Sequence, residues 1–515
     1  MPRSSARRKL IAAAALTAVG SLLLTACTAN GGGDDVMAST GPSKTDLTLA
    51  VGIPLAGFSP QAIGDGYALQ YMQAAYDSLT FALDDGTYGP MLATDWEYDD
   101  SQTVLTMNLR DDVVFDDGTP LDASAVEASL EATRDSGGGS ASALAAIEDV
   151  VVVNDTTVEL DLSAPSPTLI RALSQVAGMI VNPASIGSDS LNAAPDGSGP
   201  YVLDEASSVA GTTYVLKKKA DYWNTDLSLP FETITFQSMP DQSAVMSALL
   251  SGQVDSSFIV SSNVAQAESS GLEITQYSAP GAVGLYLWDR TGSLVPALGD
   301  VRVRQAINLA IDKQALLDGV RAGYGETTGQ LFRPDWASSV ASLDEEYPYD
   351  PEAARELLSE AGYEDGFTVD ILQNAGIPEN DLVAQYLADV GITVNWVPST
   401  SIVADIQAGT TGMSIFQLAS QAEWQVVTAF LLPNSPWNPL HTDDSEVSEL
   451  IAEAQSSPDA DTRSALIAEL NTYLVEQAWF APFYFLTGNY ASTNGVTVKA
   501  PYINVPAIYD FQLED

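Results

Sequence analysis

The chain has 515 residues, 46% of them hydrophobic, and its 68 acidic and 20 basic residues give a formal net charge of -48. A chain of this length can bury large cores and should divide into two or three domains. The excess of negative charge repels phosphate groups and therefore argues against a nucleic acid partner. A single cysteine and a single histidine exclude an internal disulfide and a thiolate zinc site. We therefore predict no metal and no cofactor.

The acidic residues allow two interpretations. They fit a solvated surface that keeps the protein soluble, also in salty surroundings. They also fit a surface field that concentrates cationic ligands. We favour the first interpretation.

The start of the chain predicts export and a lipid anchor. A basic segment that includes Arg7 and Arg8 precedes the apolar run 10–26, which is shorter than the roughly 20 residues of a membrane span. The run ends at Cys27, and this context resembles a bacterial lipobox, in which residues 1–26 are removed as a signal and the cysteine is acylated. The alternatives are an ordinary secretion signal or an uncleaved anchor. Residues 27–45 are predicted to be a flexible tether because they are rich in Gly, Ser, Thr and Asp.

Order is predicted to begin near Asp46, where apolar and polar residues start to alternate. Alternating apolar residues, many of them β-branched, predict strands at several further places. The predicted strands are 47–51, 104–109, 150–153, 157–162, 214–218, 234–237 and 367–372.

Several helices are predicted from their ends. An aspartate can accept hydrogen bonds from the free N–H groups of a first turn, and glycine readily ends a helix. The predicted helices follow Asp122 over 123–133, Asp241 as far as Gly252, Asp300 as one long helix through 317, and Asp350-Pro351 as far as Gly362. Strands and helices mixed in this way indicate a large α/β protein.

Four blocks of sequence occur in a fixed order along the chain. They are LATDWE at 92–97 with LRDDVVFDDGTPL at 109–121, GSGPY at 197–201 with DYWN at 221–224, DVRVRQAI at 300–307 with AID at 310–312, and YDPEAA at 349–354 with AGY at 361–363. Together they resemble the extracellular solute-binding proteins of family 5, the peptide-binding components of bacterial ABC importers. The residues of these blocks form turns and helix starts, so none of them needs to contact a ligand. Arg302 and Arg304 are expected to pair with nearby carboxylates.

The resemblance implies an α/β fold of the periplasmic-binding-protein type (type II, cluster C-like), with two lobes that close on a ligand by a hinge motion. It also implies a small inserted domain and a monomeric protein. The predicted segments are 46–80, 196–290 and 486–515 for lobe I, 81–195 for the inserted domain, and 291–485 for lobe II.

The resemblance also points to a ligand-binding stretch. Members that bind peptides neutralise the peptide α-ammonium with an aspartate, in a stretch often similar to W-x-x-D-Y-P-D-P. The corresponding stretch here, 416–424, lacks that aspartate. Glu423 is predicted to take its role, and the alternative is a solvated loop carboxylate. The family also includes nickel binders that present histidine, but His441 is the single histidine here.

Aromatic residues are the other candidates for the cleft. Trp288 and Trp424 can cover apolar surface of a ligand or stack on a sugar ring, and Asp289 follows the first of them. Phe58 and Tyr67, in the segment after the first strand, are candidates on the same reasoning. The alternative for each tryptophan is a place in the core.

The leading hypothesis is a lipid-anchored receptor on the extracytoplasmic face of the membrane, which delivers short peptides or a related polar solute to an ABC permease and its ATPase. An oligosaccharide ligand is the first alternative, since the chain has many tryptophans and acids. A surface sensor without transport shares the fold. A hydrolase with paired carboxylates is a further alternative. No motif selects such a pair and no Gly-x-Ser-x-Gly occurs, so we predict that the protein is not an enzyme.

Overall fold

The computed structural model of the protein describes residues 45–514, apart from 65, 67, 84–85, 374–376, 418–421, 458, 494 and 502–504. The predictions for Cys27, for the signal and tether, and for Tyr67 therefore lie outside the described residues. Among the described residues, no helix has both the length and the apolar character that crossing a bilayer requires.

Helices and strands alternate along the described chain. The helices are α1 Ala68–Ala75, α2 Ala123–Asp135, α3 Leu169–Ala172, α4 Gln242–Ser251, α5 Val264–Ser269, α6 Val301–Leu309, α7 Lys313–Arg321, α8 Pro351–Glu360, α9 Asn380–Asp389, α10 Ile402–Gln407, α11 Glu423–Val426, α12 Ser445–Ser456 and α13 Ala460–Glu476. The strands are β1 Asp46–Val51, β2 Thr80–Ala82, β3 Tyr88–Pro90, β4 Ala93–Tyr98, β5 Val104–Leu109, β6 Ile147–Asn154, β7 Thr157–Leu162, β8 Tyr201–Leu203, β9 Thr213–Lys218, β10 Thr233–Ser238, β11 Ser256–Phe258, β12 Glu273–Leu287, β13 Gly325–Thr327, β14 Phe367–Gln373, β15 Ile392–Pro398, β16 Met413–Gln417, β17 Phe480–Ser492, β18 Val496–Val498 and β19 Phe511–Leu513. All the predicted strands fall within these bounds and are confirmed.

The largest sheet has eleven strands, in the order β15-β14-β16-β12-β17-β11-β1-β10-β9-β8 with β13 paired to β17. Strands of the two predicted lobes lie at its opposite ends, each packed on its own core. The long antiparallel strands β12 and β17 connect the two ends. This arrangement is the α/β, two-lobed fold that the sequence predicted, with two long strands where the lobes meet.

A second sheet of four antiparallel strands, in the order β4-β5-β7-β6, is formed within residues 93–162. Along β5 and β7, alternate residues are buried, and these pack on the inner face of α2. This sheet has a core of its own. It lies within the segment predicted as an inserted domain, whose exact boundaries stay a prediction.

Three of the predicted helices begin directly after the aspartate that was expected to precede them. The carboxylate of Asp122 accepts hydrogen bonds from the first turn of α2, and Asp241 does the same for α4. Gly252 ends α4 with a φ of 69°, a left-handed conformation that favours glycine. Asp350 precedes Pro351, the first residue of α8. These helices are confirmed.

The single long helix predicted after Asp300 is wrong, because two helices, α6 and α7, occupy that region. The chain leaves the helical path after Leu309, and the carboxylate of Asp312 accepts a hydrogen bond from the N–H of Ala315. Asp312 therefore begins a new helix, and the apolar spacing that continued through Ile311 concealed this interruption.

The two arginines of the DVRVRQAI block behave differently. Arg302 forms the expected ion pair with Asp300 at 2.6 Å. Arg304 does not pair with a carboxylate: it is buried, and its guanidinium donates to the carbonyl oxygens of Leu298 and Gln477 at 2.8 Å. The prediction is confirmed for Arg302 and wrong for Arg304, which binds α6 to the end of α13 through backbone acceptors.

The GSGPY and DYWN blocks meet at Asp77, which follows α1 and precedes β2. Its buried carboxylate accepts hydrogen bonds from the Ser198 hydroxyl at 2.8 Å, the Tyr222 hydroxyl at 2.7 Å and the Trp223 indole N–H at 2.7 Å. Burial raises the pKa of Asp77, and the three donors act in the opposite direction. These blocks therefore hold together the two parts of lobe I between which the chain leaves for the inserted segment and returns, and we call this place the junction between lobe I and the inserted segment.

Candidate ligand-binding cleft

Two adjoining cavities lie between the inserted segment and lobe II. The large cavity has a volume of about 540 Å³ and the small cavity about 290 Å³. Thr168, Arg171 and Trp424 line both, so the two are parts of one cleft. Volumes of this size suit small polar ligands. The large cavity is lined by Ser142, Ala143, Ala146, Ala164, Pro165, Ser166, Thr168, Arg171, Ala172, Trp424, Gln425, Thr428, Ala429, Pro436, Trp437 and Gln455. The small cavity is lined by Tyr88, Pro167, Thr168, Arg171, Asp335, Trp336, Ala337, Ala422, Glu423, Trp424, Ala460, Arg463, Ser464 and Ile467.

One wall of the cleft is the short helix α3. Two prolines precede it at positions 165 and 167, and Leu169 and Ala172 are buried against the core of the inserted segment. This packing fixes the backbone of α3. Arg171 lies on the same helix and lines both cavities.

The opposite wall is α11, which continues as one π-helical turn over Val427–Leu431. Single π-helical turns within α-helices frequently occur at functional sites. Val426, Val427 and Phe430 are buried on the inner face. Trp424 lines the cleft from the first turn.

Tryptophans form the apolar surface of the large cavity. Trp424 and Trp437 both line it, and each is largely buried. Trp437 is held from behind by Phe416, with ring centres 4.9 Å apart. A rigid, nearly buried aromatic surface of this kind can cover aliphatic, aromatic or sugar groups.

Glu423 lines the small cavity, but its carboxylate is already engaged. One oxygen accepts the backbone N–H of Ser338 at 2.9 Å, and the other accepts the Ser464 hydroxyl at 3.1 Å. An ionised carboxylate offers about four acceptor positions, so two remain for a ligand. These bonds fix the orientation of the group. A role in binding an ammonium stays a prediction.

The carboxylate of Asp289 binds backbone N–H groups of the turn that follows β12. Its fully buried carboxylate accepts the backbone N–H groups of Ser293, Leu294 and Val295 at 2.8, 2.6 and 2.7 Å. Burial raises the pKa of this carboxyl, but the N–H donors outweigh that effect and leave the pKa below its ordinary value. Asp289 thus closes the turn that follows β12, and it is not among the residues that line either cavity.

Trp288 and Phe58 lie in cores. The Trp288 side chain has no exposed surface, its indole N–H donates to the Ser414 hydroxyl at 2.9 Å, and it stacks on Tyr286. Phe58 is buried in lobe I, edge-on to Tyr214. Neither side chain is among those that line the two cavities.

The charges of the cleft contrast with those of the whole chain. Among the described residues lining the large cavity, Arg171 is the only charged one. The small cavity adds Arg463, Glu423 and Asp335, and Asp335 forms an ion pair with Arg333 at 2.9 Å. The cleft therefore has few carboxylates although the chain has 68 acidic residues.

Arg463 reaches toward the inserted segment from α13. Its Nη2 donates to the carbonyl oxygen of Ser457 at 3.1 Å. Burial raises the pKa of Tyr98 in β4 to about 12, and the positive charge of Arg463 opposes this rise.

Of the predicted site residues, Glu423 and Trp424 line this cleft. Arg171, Arg463 and Trp437 also line it and were not predicted from the sequence. A signal for Arg171 was present, since it is the only basic residue between Arg134 and Lys217. Arg463 and Trp437 gave no such signal.

His441 is exposed, and its Nδ1 lies 2.8 Å from the carbonyl oxygen of Pro433. In the part of the chain that the structure describes, no three His, Cys, Asp or Glu residues are grouped in a way that could hold a metal ion.

Two strand groups joined by β12 and β17 form a two-lobed fold of the binding-protein type. The candidate cleft lies between the inserted segment and lobe II, and no described residue of the predicted lobe I is among those that line it. Residues 87–433, more than half of the chain, match the family model for bacterial extracellular solute-binding proteins, family 5 Middle. The chain belongs to this family, as its sequence blocks predicted.

Known proteins are similar over most of the chain. The glutathione-binding protein GsiB of Escherichia coli (strain K12) is 25% identical over 470 residues, which cover 87% of this chain and 90% of GsiB. Similar solved structures include NikA from Brucella suis in complex with Fe(III)-EDTA, with a TM-score of 0.79, 22% identity, and 91% and 100% of the two chains covered. Another is a dipeptide-binding protein from Pseudoalteromonas sp. SM9913 in complex with Met-Leu, with a TM-score of 0.74, 19% identity, and 91% and 100% covered. These structures share the fold.

Proposed function

We propose that this protein is the substrate-binding component of an ABC importer and that it captures short peptides, or a chemically related polar solute, in the cleft between the inserted segment and lobe II. The observation that carries the proposal is the cleft lined by Trp424 and Trp437 beside neutral amide and hydroxyl groups. Such a surface covers side chains of varied shape while the polar groups bind a peptide backbone. Relatives named for glutathione binding and a structural neighbour solved with Met-Leu support this ligand class.

Glu423 is the proposed partner of the ligand's ammonium group. Its carboxylate is oriented by Ser338 and Ser464, and two acceptor positions remain on it. A charge-assisted hydrogen bond to an ammonium is about twice as strong as a neutral one. This would fix one end of the ligand in the small cavity.

An oligosaccharide is the second candidate ligand. The large cavity favours it in one respect, because tryptophan faces and amide groups such as those of Gln425 and Gln455 also suit sugar rings and their hydroxyls. The charged groups of the small cavity favour the peptide.

The most informative test is a thermal-shift screen of the protein without its signal against short peptides and against neutral oligosaccharides. A ligand present at 100 times its dissociation constant adds about 2.7 kcal/mol to the free energy of unfolding. We expect short peptides to raise the melting temperature. If peptides of every length leave it unchanged while an oligosaccharide raises it, the peptide proposal is wrong.

The role of Glu423 has a narrower test. Glu423→Gln should weaken binding of a peptide with a free N-terminus about 10-fold, since it removes a charge-assisted bond. N-acetylated peptides should bind weakly to both forms. Glu449→Gln is the control, because Glu449 is exposed on α12. Unchanged affinity in Glu423→Gln would remove this residue from the ammonium site.

We also propose that Cys27 carries the lipid that holds the protein at the extracytoplasmic face, where it would meet the permease and its ATPase. Two or more acyl chains anchor a protein stably, because each buried methylene contributes about 0.8 kcal/mol. The test is metabolic labelling of the full chain with a labelled fatty acid in bacteria. The wild type should take up the label and Cys27→Ser should not. Equal labelling of both forms, or no labelling of the wild type, would contradict the lipid at Cys27.

A surface sensor without transport and a hydrolase are the alternative functions. Incubation of the protein with a bound peptide and mass measurement of that peptide separates the binding protein from a hydrolase, since we expect the peptide to be recovered intact.

A further inference from the structure

We propose that Asn471 is a positioning residue of the cleft. It holds the backbone that orients the carboxylate of Glu423, and it thereby helps to set the preference for ligands with a free ammonium group. The inference rests on the proposed function, because it concerns the carboxylate that would bind this ammonium. Asn471 lies on α13 and is not among the residues that line either cavity, so it acts through other residues.

One face of α13 holds both oxygens of the Glu423 carboxylate. The Ser464 hydroxyl donates directly to Oε2 at 3.1 Å. The backbone N–H of Ser338 donates to Oε1 at 2.9 Å, and the carbonyl oxygen of the same residue accepts a hydrogen bond from Nδ2 of Asn471 at 3.1 Å. Ser464 and Asn471 are about two helical turns apart, so they lie on the same face of the helix. The helix therefore orients the carboxylate directly on one side and through a loop residue on the other.

The loop that carries Ser338 is held by a pair of buried amide side chains. Gln330 bonds to the backbone of Val340 in both directions: its Oε1 accepts the N–H and its Nε2 donates to the carbonyl oxygen, each at 3.1 Å. This fixes the orientation of the Gln330 amide, and its Oε1 also accepts a hydrogen bond from Nδ2 of Asn471 at 2.6 Å. Gln330, Ser338 and Asn471 are all buried. Because buried polar groups have no water to bond to instead, the position of the loop depends on these bonds.

Loss of the Asn471 amide should therefore be felt in the small cavity. The same loop supplies Trp336 and Ala337 to the wall of that cavity, directly before Ser338. Leucine has nearly the shape of asparagine but no N–H donor, so Asn471→Leu would release the loop. The backbone N–H of Ser338 would then no longer be fixed beside Glu423. A carboxylate that must be ordered when the ligand arrives binds an ammonium less tightly than one already held in place.

The test is calorimetric titration of the protein, without its signal, with pairs of short peptides that differ only at the N-terminus, free amine against N-acetyl. The variants are Asn471→Leu and, for the same loop, Gln330→Met. The matched control is Asn308→Leu. Asn308 is also a buried amide of lobe II, and its Nδ2 donates to the carbonyl oxygens of Arg304 and Phe480, each at 3.1 Å. It is not among the residues that line either cavity. Urea unfolding of each variant measures its stability.

The wild type should bind the free-amine peptides about 10-fold more tightly than the acetylated ones, because a charge-assisted bond is lost on acetylation. Asn471→Leu and Gln330→Met should bind the free-amine peptides about 3- to 10-fold more weakly than the wild type and the acetylated peptides within about 2-fold. Combined with Glu423→Gln, Asn471→Leu should have no further effect on the preference, since both residues act through one carboxylate. Asn308→Leu should lower the urea midpoint and leave the preference unchanged.

Two results would overturn the inference and leave the proposed function in place. One is a preference for the free amine that both Asn471→Leu and Gln330→Met retain. The other is an equal loss of affinity for free and acetylated peptides, which would show that Asn471 has a structural role alone. If the wild type binds both kinds of peptide equally, the ammonium role of Glu423 is wrong and the inference is wrong with it. If no peptide binds to the wild type, the peptide proposal is wrong as well.

Discussion

The junction between lobe I and the inserted segment gives a quantitative prediction. Asp77→Ala removes the acceptor for three donors, on Ser198, Tyr222 and Trp223. A buried donor left without a partner costs about 1–3 kcal/mol. Ser198 is buried, whereas the two aromatic residues are half-buried and can bond to water, and loss of the buried charge offsets part of the cost. We expect the free energy of unfolding to fall by about 3 kcal/mol.

The change in melting temperature follows from the size of the protein. The entropy of unfolding is about 2 cal/mol/K per residue, which gives about 1 kcal/mol/K for about 470 residues. A loss of about 1 kcal/mol in the free energy of unfolding therefore lowers the melting temperature by about 1 °C. Asp77→Ala should therefore melt about 3 °C lower in a calorimetric scan. It should also speed proteolysis at the linkers of the inserted segment. Asp221→Ala is the matched control, since Asp221 is exposed in the same sequence block.

The sign of the pH dependence adds a second check. Burial raises the pKa of Asp77, so the folded protein holds this proton more tightly than the unfolded chain. The contribution of Asp77 to stability therefore decreases as the pH rises from about 4 through the pKa of the folded state. Relative to Asp77→Asn, the wild type should gain stability between pH 7 and pH 4. The reasoning is refuted if Asp77→Ala melts at the same temperature as Asp221→Ala. It is also refuted if the wild type loses stability relative to Asp77→Asn when the pH is lowered from 7 to 4.

Two further changes test other buried carboxylates. Asp289→Asn should cost about 2 kcal/mol in urea unfolding at pH 7, because it removes charge-assisted bonds to backbone N–H groups. The pKa of Asp289 is lowered in the folded protein, so its contribution to the free energy of unfolding is present above about pH 4 and is lost below it. The difference in stability between the wild type and Asp289→Asn should therefore narrow at pH 3. A difference that widens in acid would contradict this sign. Glu379→Gln should cost about 2 kcal/mol, less than a fully buried ion pair, because its partner Arg321, at 2.7 Å, is partly exposed. Equal urea midpoints for wild type and variant would show that this pair does not stabilise lobe II.

Local signals predicted much of the fold. The helices after Asp122, Asp241 and Asp350 form where these residues can bond to a first turn, and these contacts depend on neighbours in sequence. Apolar periodicity was less reliable. It continued through Ile311 and concealed the start of α7 at Asp312.

Contacts between distant residues could not be predicted in the same way. β12 and β17 pair although about 200 residues separate them, and no local pattern fixes such a register. The cleft also depends on contacts between segments far apart in sequence, since its walls α3 and α11 are separated by about 250 residues. Glu423 was predicted because the family resemblance pointed to the stretch 416–424, and its role stays a prediction. Arg171 has no motif, and only the folded chain places it across from Trp424.

We propose that this family 5 protein binds a short peptide in the cleft that Trp424 lines. The most direct measurement is calorimetric titration of the wild type and Trp424→Ala with the peptide that raises the melting temperature most. The account predicts one peptide per wild-type molecule and at least about 30-fold weaker binding to Trp424→Ala, since loss of a tryptophan contact surface costs about 2 kcal/mol or more. Trp396→Ala, whose side chain packs on the core of lobe II, should bind like the wild type. Undiminished peptide binding by Trp424→Ala would contradict the account.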